Sequence, residues 1–428
     1  MWSAHFGLMT GSGVADAIKK IAAAAKTKWS SSMMKKRLTA VALAAACATN
    51  GAMALDVAGF EITGYSRGGP VFGYSDDVKG GLSLGGDLQK YRLGNEGDYG
   101  IEVGIARSFE SGGVKWSVNY MPSKWGSGDV ATEMAYVEMS GLSFLPDAKF
   151  WAGQRRLRIE DVHIVDNFLM NYGDYQGAGV TDIPLGGAKL GLGVFTGDQF
   201  DKRLPSGVKA NRFNADFSEI KVNPGGKLRV LLTAVGGKGQ VGGGSGSGVS
   251  LLHNQSDLGL KGMSNSMFLQ TSRGHARIDG EFESIDGKSV GKKALRIADA
   301  IGWQSGPFGG QALIGYQTGR ADAVGAVTTK DFSLGGRASY AFTKNFKGLT
   351  EVSTTTRKSA GMPNQRLNKF TLAGAVALSE DFWSRPELRL YVTKANWNRP
   401  AAMANAASFG ANGKTSRTLM GLQYEVWW

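Results

Sequence analysis

The sequence predicts an all-β fold: a transmembrane antiparallel β-barrel of about eighteen strands, sixteen being the alternative, with one loop folded into the lumen. Three observations carry this. Glycine is 63 of 428 residues, roughly 15% against a usual ~7%, whereas proline is only 10. From Phe60 onward the chain repeats one device, about ten alternating residues followed by a turn or loop. The stretch from Lys149 to Gly179, KFWAGQRRLRIEDVHIVDNFLMNYGDYQGAG, opens as a short strand at Lys149 to Arg155. It then mixes Arg156, Arg158, Glu160, Asp161, His163 and Asp166 with Phe168 and Tyr172. A soluble core does not bury so many unpaired charges, and a surface loop rarely interleaves so many apolar residues. A wet, confined lumen suits both.

The N-terminus is set aside first. Met34-Lys35-Lys36-Arg37 is a basic start, Leu38 to Ala48 a short apolar core, and Ala52-Met53-Ala54 a small-x-small cleavage site. The expected division is an over-called extension at 1–33, a signal peptide at 34–54, and a barrel domain at 55–428. Cys47 lies within the signal, where Ala44 occupies the position at which lipoprotein sites usually carry Leu. Removing residues 1–54 takes away seven of 49 bases and one of 36 acids. That leaves 42 and 35, net +7 rather than +13. The charges are dispersed without basic runs, so no nucleic-acid partner is expected. With the lone cysteine in the signal, neither disulfides nor thiolate metal sites are available. No apolar window outside the N-terminal region reaches the roughly eighteen residues of a transmembrane helix.

In Phe60 to Gly68, Glu61, Thr63, Tyr65 and Arg67 share one face and Phe60 and Ile62 the other, the lumen and lipid pattern of a barrel strand. Further strands are expected at Tyr99 to Phe109, Gly113 to Met121, Ala131 to Leu142, Lys189 to Thr196, Arg212 to Val222, Lys227 to Val235 and Asn265 to Ser272. The series continues with Lys293 to Gln304, Gly310 to Thr318, Asp331 to Thr343, Gly348 to Arg357, Leu367 to Ser379, Glu387 to Trp397 and Ser416 to Trp428. Short turns such as Thr343-Lys344-Asn345 contrast with long loops expected at Lys238 to Ser250 and Pro400 to Gly413. Gly242 to Gly248, GGGSGSG, lacks the Lys and Ser or Thr of a phosphate loop and reads as a flexible external loop. In the last strand Met420, Leu422, Tyr424, Val426 and Trp428 take the lipid face. Trp427 then joins Gln423 and Glu425 inside.

His163, between Asp161 and Asp166, reads as a lumen residue satisfied by ion pairs rather than as a metal ligand or catalytic group. His253 and His275 lie in no ligand spacing. No nucleophile elbow is present. The expectation is a passive channel with no enzymatic activity, cofactor or metal.

Four motifs in order, GYSRGG (Gly64 to Gly69), KYRLGNE (Lys90 to Glu96), the stretch from Trp151-Ala152-Gly153 through Asp161-Val162-His163 to Asp166, and the closing Val426-Trp427-Trp428, resemble the maltoporin family over essentially the whole mature chain. The resemblance implies an outer-membrane homotrimer through which saccharides slide along a line of aromatic rings. It assigns Tyr65 to the first slide position, Arg67 to a polar partner and Trp125 to a tryptophan that the second loop lends to a neighbouring pore. Glu102 falls on a lumen acid, Asp166 on the loop acid, Trp427 on the periplasmic slide position, and Phe168 on the constriction tyrosine. Trp397, on the face of Glu387, Arg389, Tyr391 and Thr393, is an outer slide position; Asp161 and His163 complete the sugar-binding set. Three departures stand out. Gly100 replaces a slide tyrosine, Ile159 a loop arginine and Glu133 another arginine. Tyr99 and Arg158 lie one residue away, and because a shift of one reverses facing they substitute only if a bulge intervenes. A channel for smaller or different sugars is therefore as tenable as a maltodextrin slide. The rivals are a general or anion-favouring porin without sugar specificity and a barrel-borne hydrolase.

Overall fold

Alternating side chains along a strand point to opposite faces, so a wall with water on one side and lipid on the other needs a polar row and an apolar row. The strand Glu387–Trp397 does this without a break. Glu387, Arg389, Tyr391, Thr393 and Ala395 are buried, while Leu388, Leu390 and Val392 are exposed to the outside. The same device repeats around a closed barrel. The structure, a computed structural model, describes residues 54–73, 81–197 and 204–428. The expected extension at 1–33 and the signal segment up to Met53 lie outside the described residues.

The main sheet holds twenty strands, two of which, Leu55–Val57 and Val71–Phe72, are short flanking pieces. The remaining eighteen form the barrel. They are β1 (Phe60–Gly68), β2 (Gly100–Ser111), β3 (Val114–Trp125), β4 (Ala131–Ser140), β5 (Lys149–Arg155), β6 (Tyr175–Leu185), β7 (Ala188–Thr196), β8 (Lys209–Asn223) and β9 (Gly226–Lys238). The second half is β10 (Gly246–Ser256), β11 (Met263–Gly274), β12 (Lys292–Ser305), β13 (Phe308–Ala321), β14 (Thr329–Thr343), β15 (Phe346–Ser359), β16 (Gln365–Ala377), β17 (Glu387–Trp397) and β18 (Ser416–Trp427). All pairings are antiparallel. The seam closes where β1 meets β18, Tyr65 opposite Trp427 and Arg67 opposite Glu425. Gly64 N donates to Trp428 O at 3.0 Å and Trp428 N to Gly64 O at 3.1 Å.

Connections at one end are short, as at 112–113, 186–187 and 224–225, while those at the other include 69–99, 156–174 and 275–291. Short turns mark the periplasmic rim of such barrels. Irregular backbone is tolerated at membrane depth only where protein supplies its hydrogen bonds. Three inner segments meet that condition. In 81–98, Leu93 N donates to Glu351 Oε1 (3.0 Å), and Tyr91 shares a 2.9 Å hydroxyl bond with Ser333. In 156–174, Gln270 Nε2 donates to Leu169 O (2.7 Å) and Ile164 N to Gln311 Oε1 (3.1 Å). In 275–285, Ser250 Oγ donates to Ile278 O (2.8 Å) and Asn214 Nδ2 to Gly280 O (3.0 Å). These strand side chains face inward, so all three segments lie against the inner wall. Leu88, Tyr91, Val162, Ile164, Leu169 and Met170 pack there with Leu231 and Phe268, a buried apolar cluster inside the barrel. Gly94 is required by close approach as well as by its φ of 61°. A Cβ there would stand 2.1 Å from Thr393 Oγ1.

Three expectations are corrected. Tyr175–Leu185 is a strand whose alternation is hidden by glycines and by a register shift between Val180 and Ile183, where Asp182 takes a φ of 61°. Gly246–Ser256 is a strand too, so the glycine-serine run crosses from loop into ladder at Gly246. The loop after β17 is not irregular throughout. It carries short helices at Arg399–Ala404 and Ala406–Phe409, the first capped by Asn398, whose side chain accepts from Ala401 N.

Candidate functional site in the barrel lumen

The four motifs, up to 360 residues apart along the chain, converge on one patch of inner wall. Arg67 on β1 pairs with Glu96 at 2.9 Å, Asp166 at 3.0 Å and Asp98 at 2.6 Å. Arg92 pairs with Glu96 at 3.0 Å and with Glu425 on β18 at 2.8 Å. Lys90 bridges Glu96 (3.0 Å) and Asp166. Register explains why Tyr65 and Arg67 belong here: both face inward on the strand that closes the barrel, one beside Trp427 and one beside Glu425. Asp166 reaches them because it ends a 3₁₀ turn at His163–Val165 in a left-handed conformation, φ 55°. Burial raises the pKa of the Asp166 carboxyl, but Arg92, Lys90 and Arg67 outweigh it and hold the group well below the usual carboxylate range.

Glu425 is fully buried and is the hub of a second network. It accepts from Arg385 Nε (3.0 Å), Arg389 Nη2 (2.5 Å) and the Tyr65 hydroxyl (3.0 Å) in addition to Arg92. A buried carboxylate is tolerated because charged donors replace its lost water. His163 is wedged between arginines, with Arg92 Nη1 3.3 Å from Nδ1 and Arg385 Nη2 3.3 Å from Nε2. Burial, with those arginines and against Glu425, keeps its pKa well below the ordinary imidazole value. Its 3.7 Å approaches to Asp161 and Glu425 are therefore not ion pairs at neutral pH, which corrects the expected ion-pair role. At 3% exposure His163 positions its neighbours and offers a solute nothing. Asp161 is different: its side chain is 35% exposed, and burial raises its pKa to about 7 against the opposing pull of Arg92.

Aromatic rings line the same wall. Tyr65 and Trp125 stack at 6.2 Å with planes 30° apart, and the Arg67 guanidinium lies 5.1 Å from the Trp125 ring. Trp125 is the register partner of Gly100, and its ring covers that glycine. Beside the pair, Arg156 joins Glu102 (2.7 Å) to Glu133, and the Trp125 indole also bonds Glu102. Trp427, next along the wall, receives the Arg385 guanidinium 4.3 Å from its ring and meets His163 edge to face at 5.8 Å. Phe168 projects from the inner hairpin of Arg158–Val162 and Asn167–Asn171, with Arg158 at 5.1 Å over its ring. That hairpin has register shifts on either side of Glu160. The first of these shifts lies between Arg158 and Glu160, beside Ile159. Ile159 itself packs against the apolar cluster.

One sequence assignment is corrected. Trp397 does face inward, but it is 5% exposed, tilted against Phe409 with ring centroids 4.8 Å apart, and enclosed with Leu82, Leu84, Leu367 and Leu419. Its indole donates to Lys414 O (2.8 Å), so it anchors the outer loop and has no face for a solute. Trp125 stacks on Tyr65 of its own chain. Tyr99 is 58% exposed and does not take the place of Gly100. The sequence reading missed Arg92, Arg156, Arg385 and Trp383. Arg92 was visible within KYRLGNE and Arg156 within the charged central stretch, though neither was assigned to the site, whereas Arg385 and Trp383 carry no local signal.

Residues 60–428 match the family model described as LamB porin. Among solved structures, OpdQ of Pseudomonas aeruginosa aligns with a TM-score of 0.49 at 10% identity, covering 86% of this chain and 98% of that one. OpdK of the same organism, with vanillate, gives 0.48 at 11% identity over 88% of this chain and 100% of that one. OmpT of Vibrio cholerae gives 0.40 at 7%, covering 88% and 100%.

Proposed function

The chain belongs to the LamB porin family, an outer-membrane β-barrel, and on that premise we propose that it passes small saccharides, maltose, maltodextrins or others, by passive diffusion. The observation that carries this is the stacked pair Tyr65 and Trp125, set beside Arg67 and the Glu102–Arg156–Glu133 array. A pyranose has a weakly apolar ring face and an equatorial belt of hydroxyls. The rings recover contact with the face, and fixed ionic groups exchange hydrogen bonds with the belt. Each contact is weak, as transit requires: binding near ~1 mM corresponds to roughly 4 kcal/mol. Phe168 and Arg158, on the inner hairpin, form the constriction, and Asp166 is the acid beside it. The channel works without cofactor or metal, as a homotrimer in the outer-membrane lipid.

The alternative reading, a general or anion-favouring porin, draws on the convergence of Arg92, Arg385 and Arg389 on the single carboxylate of Glu425. Single-channel current recorded with glucose, sucrose, maltose and longer maltodextrins decides between them. A saturable fall in ion current supports saccharide passage; an unblocked current supports the alternative. Hydrolysis products in the bath would point to the enzymatic rival.

A further inference from the structure

Toward the extracellular ends of β12 to β15, the inner segments 81–98 and 275–291 leave a chamber of about 590 Å³ against the wall. This is within the range of roughly 300 to 1,000 Å³ that small-molecule sites occupy. Among the described residues no aromatic side chain lines it, whereas six charged ones do: Asp87, Arg277, Glu283, Lys292, Asp331 and Arg357. A neutral pyranose finds no ring for its apolar face here. What the chamber offers a solute is charge.

Most of that charge is spent within the protein. Arg357 donates to both oxygens of Asp331, at 2.8 and 2.7 Å, and to Leu84 O at 2.8 Å. Asp87 pairs with Arg296 and accepts from Gln317 Nε2 at 3.2 Å. Arg277 pairs with Asp279 at 2.9 Å and Glu281 at 3.1 Å, while its side chain stays 37% exposed. Two side chains remain. Those of Lys292 and Glu283 make no hydrogen bond or ion pair among the described residues. An ammonium only donates and a carboxylate only accepts, so one solute satisfies both if it carries an anionic group together with hydroxyls. A cation is a poor occupant, because Arg277, Lys292 and Arg357 share the walls and no three His, Cys, Asp or Glu groups among the described residues are placed to hold a metal. A simple anion without hydroxyls leaves Glu283 unmatched.

We propose that this chamber binds sugar acids, hydroxylated carboxylates whose carboxylate pairs with Lys292 and whose hydroxyls donate to Glu283. It adds a second class of solute to the channel, captured on the extracellular side, and does not depend on Tyr65 or Trp125.

The test is single-channel current on the full protein inserted in one orientation, with glucuronate or glucose added to the extracellular side. Glucuronate should block at a concentration about three- to tenfold lower than glucose, the order of one charge-assisted pair, when salt is about 0.1 M. The difference should shrink near 1 M, where the screening length is about 3 Å. Lys292→Gln should erase the preference and Lys292→Arg keep most of it. Neither breaks an ion pair. Lys227→Gln removes the same charge from an exposed pair at the periplasmic rim and should leave the preference within twofold. Glu283→Ala should weaken glucuronate block even though it makes the lumen more positive. Equal block by the two solutes in the wild type overturns the site. So does an equal loss in Lys227→Gln, which would mark a net-charge effect, or tighter glucuronate block in Glu283→Ala. Block by maltose tests the saccharide reading separately.

Discussion

The Trp125 indole lies so close over Gly100 that a Cβ at position 100 would stand 2.3 Å from its Cε3 atom. The two are register partners on β2 and β3. The ring that the resemblance expects from position 100 therefore comes from the adjacent strand and still stacks with Tyr65.

This exchange can be reversed by mutation. Trp125→Ala should weaken sugar block about fivefold, the order of one aromatic contact of ~1 kcal/mol. Gly100→Tyr alone should do the same by displacing the indole. The double variant, with a ring supplied again from β2, should regain most of the affinity in a current-titration assay. If the double variant is weaker than either single one, the two positions do not share one space.

Phe168 keeps a ring at the proposed constriction but lacks a hydroxyl. Phe168→Tyr should tighten block several-fold, since one added hydrogen bond contributes about 0.5 to 1.5 kcal/mol. Phe168→Ala should abolish most of the block while raising ion conductance. No change in either quantity would place Phe168 away from the path.

Asp161 is expected to make the channel pH-sensitive. Burial has raised its pKa to about 7, with Asp166, Glu425 and Glu160 adding to the rise and Arg92 opposing it, while His163 stays neutral. It is protonated below that pH and becomes charged as pH rises through it. Cation preference, read as reversal potential in a salt gradient, should therefore grow between about pH 6 and 8. The trend should vanish in Asp161→Asn. A flat wild-type profile would mean that the carboxyl is already ionised. The same sign holds for stability: a raised carboxyl pKa favours the folded state less as pH climbs from the unfolded value toward 7.

Glu425→Gln leaves Arg92, Arg385 and Arg389 gathered around a neutral amide. Breaking a buried ion pair from one side costs about 3 to 5 kcal/mol. Urea unfolding followed by the folded-barrel shift on electrophoresis should show a loss of that order, whereas the exposed pair Lys227 and Glu219 should matter little.

Export is tested by the mature terminus. Cleavage after Ala54 should leave Leu55-Asp56 at the start of the protein in outer-membrane fractions. Sequencing that finds Met1, or a lipid on Cys47, contradicts the assignment.

Facing was legible wherever alternation ran unbroken. β17, β18 and β1 could be read inside from outside residue by residue, because period two and a two-sided wall are local properties. Where glycine and bulges interrupt the period, as at Tyr175–Leu185 and Gly246–Ser256, there was no local pattern to read. The break of register beside Arg158 and Ile159 was likewise visible only once the pairing was known.

By itself the sequence determined the barrel, its closing strand, and an inward face carrying Tyr65, Arg67, Glu425 and Trp427. Tertiary structure alone decided which inward groups meet a solute. Trp397 faces inward and is sealed by the outer loop, whereas Trp383, on an unremarked turn, is held half open beside Asp161. Alternation says which side of the wall a residue is on, but the inner segments 81–98 and 156–174 decide what covers it. Their course is set by hydrogen bonds with distant strands, such as Gln270 Nε2 donating to Leu169 O and Leu93 N donating to Glu351. Such contacts leave no periodicity in the chain.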